Sequence, residues 1–231
     1  MLPLLVAALL PLPHVGLHVQ ESVDEGDSVR VAITLDRVAN RDVRVLLDTR
    51  GREARGRSDY GPIHGVVTIP SGLLRVTVPV HTVADGLDEA DESFVVRLRD
   101  AENAVLTSDR ATATIDDRDP TPRVRVEGAT IPEPEITNQL GFTYVRLSAP
   151  SGRRVVVELA TRPGSATTAD FVPLHPIAVF APGETSQLVS VEVLPDDLVE
   201  GPETVRLVVT SVRHALPPRR AAIVTIDDAD D

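Results

Sequence analysis

Nine residues, Pro195 through Glu203 (PDDLVEGPE), carry four carboxylates, Asp196, Asp197, Glu200 and Glu203, between the runs SQLVSVEVL and TVRLVV. Carboxylates at that density repel one another, by roughly 1 kcal/mol per pair at 4 Å in water and more where water is partly excluded, unless a cation neutralises them. A donor set made only of oxygen suits a hard cation, and calcium takes about six to eight such ligands. For any single loop of this kind a solvated acidic turn is the competing explanation.

The chain supplies a second copy. The segment ADGLDEADE ends at Glu92, and 203 minus 92 is 111; the same step carries Glu89 to Glu200, Asp85 to Asp196, Asp59 to Asp170, and the pair Asp116, Asp117 to Asp227, Asp228. Repetition at a period near the size of a domain predicts two domains. The expected division is an apolar leader over 1–13, a first domain over 14–119, a proline joint over 120–122 and a second domain over 123–231.

The elements that position these acids read as strands. VGLHVQ, SVRVAITLD, VRVLLDT, GVVTI, LLRVTVPVH, SFVVRLR and RATATID follow one another in the first repeat. RVRVE, FTYVRL, RVVVELAT, IAVF, SQLVSVEVL, TVRLVV and AAIVTID follow in the second. Seven short strands per unit with turn signals between them predict a sandwich. The period of two puts Leu74, Val76, Val78 and Val80 on one face, and likewise Phe94, Val96 and Leu98, then Ala111, Ala113 and Ile115. In the second repeat the inward sets are Val189, Val191 and Val193, then Val205, Leu207 and Val209, then Ala222, Val224 and Ile226. Pro120, Thr121 and Pro122 predict a short, stiff connection.

Composition agrees with an all-β chain: 42% hydrophobic, 3% aromatic, 19 Pro and 14 Gly, with Val and Leu dominating the apolar runs. A net charge of -12 argues against nucleic acid as a partner, because a phosphate backbone calls for a clustered basic face. With no Cys there is no disulfide framework, thiolate metal site or cysteine nucleophile. The leader MLPLLVAALLPLP is too short to span a bilayer and resembles the apolar core of a secretory signal, and no other stretch reads as a transmembrane segment.

Several short elements recur in one order: an early Glu before a strand, an acid followed by an aromatic residue in SDY and ADF, an apolar strand after PGE, a DD-x-x-E-x-x-E loop and a terminal I-DD. In that order and spacing the chain resembles the Calx-beta domain, twice over. The resemblance implies two tandem immunoglobulin-like seven-stranded β-sandwiches, with acids from several loops at one end of each holding Ca2+. It implies a metal set of Glu133, Asp170, Asp196, Asp197, Glu200, Glu203, Asp227 and Asp228 in the second repeat. In the first it implies Glu25, Asp59, Asp85, Glu89, Glu92, Asp116 and Asp117.

The first set departs from the pattern. It has Ala84, Asp85 and Gly86 where the second has Pro195, Asp196 and Asp197, and it follows the arginines Arg50, Arg52, Arg55 and Arg57, whose charge would compete with an ion for the same acids. Weaker calcium binding by the first repeat is the expected consequence. Metal near Asp116 and Asp117 would also stiffen the adjoining proline joint.

Other chemistries find little support in the residues. Among six His only His14 and His18 have a zinc-like spacing, and only if that stretch were helical. No nucleophile-elbow, phosphate-loop or zincin motif is present. Two Tyr and four Phe offer little of the aromatic platform that usually accompanies paired acids in glycoside hydrolysis. The expected function is therefore non-catalytic: a calcium-binding module of a secreted or cell-surface protein, serving adhesion or spacing. Its partners would be calcium and a cell-surface or matrix protein or a glycan. The alternatives are a ligand-binding module without bound calcium and a calcium-sensing regulatory module of a membrane protein.

Overall fold

A computed structural model describes residues 11–196 and 198–227. Among them every regular element is a β-strand. The chain divides into two compact units, Met1–Asp85 with Ala90–Arg118, and Gly86–Glu89 with Asp119–Asp231.

In the first unit the strands are β1 (His14–Val19), β2 (Ser22–Asp24), β3 (Ser28–Leu35), β4 (Val43–Gly51), β5 (His64–Ile69), β6 (Arg75–His81), β7 (Glu92–Glu102), β8 (Val105–Leu106) and β9 (Arg110–Asp116). They form two sheets, ordered β6-β3-β1-β8 and β2-β9-β7-β4-β5. The second unit has β10 (Val124–Val126), β11 (Ala129–Pro132), β12 (Gln139–Leu147), β13 (Val155–Pro163), β14 (Ile177–Phe180), β15 (Ser186–Val193), β16 (Glu203–Arg213) and β17 (Ala222–Asp227). Its sheets run β10-β12-β15 and β11-β17-β16-β13-β14.

All fourteen runs read from the sequence fall on strands. What the alternation did not disclose is that the first strand of each unit is interrupted: β1 and β10 pair antiparallel in one sheet, whereas β2 and β11 cross to the other and pair parallel with β9 and β17. In the first unit the turn that leads from β2 back to β3 passes through Gly26, whose φ of 81° lies in the left-handed region that side chains disfavour.

Alternation buries one face of each strand. In the first unit Val15, Val31, Ile33, Val45, Leu47, Phe94, Val96 and Leu98 close one core, with the Tyr60 and Phe94 rings stacked at 4.4 Å. The second unit has two clusters. One gathers around Val124, Val145, Val157, Phe180 and Leu207, the other around Ile131, Phe171, Val191, Val193, Val205 and Val224. Burying a side chain such as Phe171 contributes about 2–3 kcal/mol.

Leu74 departs from the sequence reading: it lies before β6 begins, gives its carbonyl to the Leu35 N–H, and is 47% exposed. The turn over Pro70–Leu73 ends there, so the inward set of that strand starts at Val76. His14 and His18 lie on β1, a strand, which removes the helical spacing a shared zinc would need.

Candidate functional site

Strand pairing determines which loops share an end. Because β11 runs parallel to β17, with Pro132 opposite Asp227, Glu133 follows at the same end as the final acids. Antiparallel pairing of β16 with β17 puts Glu203 opposite Ile226, and pairing of β13 with β16 puts Pro163 opposite Val205. A single bridge from Phe171 to Val193 brings Asp170 to the loop after β15. Four loops far apart in sequence therefore meet on one rim. The first unit repeats the arrangement, with Asp24 opposite Asp116, Glu92 opposite Ile115, and Tyr60 bridged to Thr82.

The aromatic residue after each loop acid is an anchor. Phe171 is fully buried and Tyr60 is 2% exposed, so each ring is drawn into the core and its neighbour, Asp170 or Asp59, is held at the surface. Local hydrogen bonds then fix the acids. Asp170 Oδ2 accepts the Thr167 N–H at 2.6 Å and the Thr167 hydroxyl at 3.1 Å. Glu133 Oε1 accepts the Asp196 N–H at 2.9 Å, while the Glu133 N–H donates to the Asp227 carbonyl. Asp196 Oδ1 accepts the Leu198 N–H at 2.8 Å.

In the second unit one carboxylate oxygen each from Asp170, Asp196 and Glu200 lies within 4.8 Å of the others. Glu203 borders them. Its carboxyl is pushed up to about 7 by partial burial, by a hydrogen bond with Asp170, and by the charges of Asp170, Glu200 and Asp196. Crowding of like charges favours the neutral form of one member of such a group. Asp170, Asp196 and Glu203 form no ion pair among the described residues. The donors are all oxygen, spaced so that one ion could touch several, and this fits calcium. Asp197 and Asp228 lie outside the described residues.

The first unit brings its acids together in pairs. The Glu25 and Asp117 carboxylates lie within 4.8 Å of each other, as do those of Asp59 and Glu92. Asp85 is exposed, and Asp116 closes β9 beside Asp24. Protein groups reach several acids on this rim. Asp59 accepts a short hydrogen bond from the Arg55 N–H, Asp91 accepts the Asp117 N–H at 3.1 Å, and Arg118 reaches Asp24 at 2.5 Å. Arg50, Arg52, Arg55 and Arg57 make no side-chain ion pair among the described residues; the guanidinium at this rim is Arg118, which sequence reading did not single out.

Glu89 belongs to Gly86–Glu89, the segment of the first acidic loop that groups with the second unit. Its neighbour Asp88 was not among the sequence candidates. Asp88 is 2% exposed and takes two 2.7 Å hydrogen bonds from Arg153 Nη2 and one of 2.9 Å from the Ser151 hydroxyl. Burial pushes its carboxyl up, but hydrogen bonds from Arg153, Ser151 and Thr121 outweigh this and hold it below the usual carboxylate range. An acid so engaged is structural.

The model of the Calx-beta domain matches twice, over residues 13–119 and 120–230. Adhesion G-protein coupled receptor V1 of Danio rerio is 30% identical over 177 residues, which is 74% of this chain and 3% of the receptor. The crystal structure of CBD12 from CALX1.2 is similar at 19% identity and a TM-score of 0.44, over 90% of this chain and 83% of that one. The apo form of the Calx CBD1 domain gives 21% identity and a TM-score of 0.44 over 47% of this chain and all of that one. Because the family model accounts for both units from end to end, the chain belongs to the Calx-beta family of non-catalytic domains and carries two tandem copies.

Proposed function

We propose that each repeat is a calcium-binding immunoglobulin-like sandwich of seven strands, counting the interrupted first strand once and leaving out the two-residue β8, in an extracellular or cell-surface protein. In the second repeat the ligands come from Glu133, Asp170, Asp196, Asp197, Glu200, Glu203, Asp227 and Asp228. In the first they come from Glu25, Asp59, Asp85, Glu89, Glu92, Asp116 and Asp117. The observation that carries this reading is the approach of Asp170, Asp196 and Glu200 within 4.8 Å, beside a Glu203 whose carboxyl is pushed up to about 7.

Bound calcium would supply the positive charge this rim lacks. The protein's part is to hold the oxygens in place: Thr167 fixes Asp170, and Glu133 and Asp196 fix each other through the main chain. Since these sites exist only in the folded chain, calcium adds RT ln(1 + [L]/Kd) to stability, about 4.1 kcal/mol at a thousandfold excess over Kd. Metal at Asp116 and Asp117, a few residues before Pro120, would also restrict the connection. Similarity to part of an adhesion receptor supports adhesion or spacing as the setting, with a surface or matrix protein or a glycan as the larger partner. Thermal melts with calcium and with chelator test the reading: a large upward shift with calcium is expected, and none would leave a ligand-binding module without metal.

A further inference from the structure

A groove of about 870 Å3 opens on the side of the second unit, away from the acids. One wall is β10, an edge strand; the other is Arg219–Ile223, leading into β17. The crossover from β10 to β11 passes directly over β17: a Cβ on Gly128 would come within 2.7 Å of the Ile223 carbonyl, so only glycine fits there.

Main-chain groups in the groove are left over from the sheet. Ser148 donates to the Arg123 carbonyl and Glu127 to that of Tyr144, so residues 123, 125 and 127 bond toward β12. The groups of Val124 and Val126 point the other way. The Val124 N–H is taken by the Leu216 carbonyl, and the N–H and carbonyl of Val126 have no main-chain partner among the described residues.

The charge here is opposite to that of the whole chain. Arg123, Arg125, Arg219 and Arg220 line the groove with one acid, Glu127, which is already paired with Arg146 at 2.7 Å. Arg125, Arg219 and Arg220 are exposed and make no ion pair among the described residues, in a chain of net charge -12. The first repeat lacks this feature: one repeat earlier Arg219 and Arg220 are Ser108 and Asp109, and the strand register that matches Val124 to Val15 matches Arg125 to Gly16.

We propose that this groove receives an extended acidic segment of another protein chain, added as a strand along β10. Its main chain bonds Val126, alternate carboxylates meet Arg125, Arg219 and Arg220, and the intervening apolar side chains lie on Val126 and Ile223. An extended peptide is favoured over a sulfated glycan because the groove joins the Val126 end of the β10 edge, beyond the bridge from Arg123 to Leu216, to an apolar floor, neither of which a glycan uses.

Fluorescence anisotropy of the intact chain with fluorescein-labelled Glu-Val-Glu-Val-Glu-Val tests this, in calcium and in chelator. Saturable binding is expected in both conditions, weakened by salt. The double variant Arg219→Glu, Arg220→Glu should weaken it at least about tenfold, and so should N-methylation of alternate peptide residues, whereas Arg206→Glu should not. No saturable binding at low salt would overturn the proposal, as would equal binding of the N-methylated peptide. Displacement by a heparin-derived hexasaccharide at equal or lower concentration than unlabelled peptide would assign the groove to a sulfated glycan instead.

Discussion

The acidic loops ADGLDEADE and PDDLVEGPE are equally long and one repeat apart, yet they use their residues differently. In the first, Asp88 is buried against Arg153 and Ser151; the matching position in the second is Val199, 75% exposed. In the first unit the Arg118 guanidinium sits on Asp24, which lies opposite Asp116. In the second, Asp170, Asp196 and Glu200 crowd together and the Glu203 carboxyl is pushed up to about 7. Acid count alone does not make a cation site. A guanidinium at the rim competes with an ion for the same acids, and on this ground the second repeat is expected to be the tighter binder.

The largest expected effect lies in the fastened loop. Asp88→Ala leaves the Arg153 guanidinium half-buried without its partner, and removing one member of such a pair costs about 3 kcal/mol. A denaturant melt of the intact chain checks this; a change under about 0.5 kcal/mol, typical of a surface substitution, would mean the pair is incidental. In the open loop, Asp170→Asn should weaken calcium binding by about a hundredfold, while Asp59→Asn in the first repeat costs about tenfold. Equal losses at both positions would erase the distinction. Arg118→Ala should act in the opposite direction, tightening the first site a few-fold by removing a positive charge beside Asp116, and calcium titration of that variant reads the effect.

The smallest effect is on pH dependence. Glu203 binds its proton more tightly in the folded chain than its ordinary value of 4.5, so its contribution to metal-free stability is full below about 4.5 and is lost as pH rises through about 7. Melts in chelator across that window should lose a few degrees, and Glu203→Gln should flatten the profile. Calcium, which must displace the proton, should bind more weakly below pH 7.

The fold was legible because a period of two survives almost every local exception. The short crossing strands β2 and β11, three and four residues long, left no such signal. Leu74 was misplaced because alternation was extended backward into a turn. The acids of the rim could be read from their repetition, but their separate roles could not. Nothing within ADGLDEADE distinguishes Asp88 from Asp85 or Glu89; the difference lies in Arg153, 65 residues away. Arg118 is hidden for the same reason: its partner, Asp24, lies at the other end of the repeat.

Calorimetric titration of calcium into the metal-free intact chain, repeated with Asp170→Asn and with Asp59→Asn, tests the central claim most directly. The account predicts heat of binding in at least two classes, the tighter abolished by Asp170→Asn and retained in Asp59→Asn. Absence of binding heat, or loss of the tighter class on Asp59→Asn alone, would contradict it.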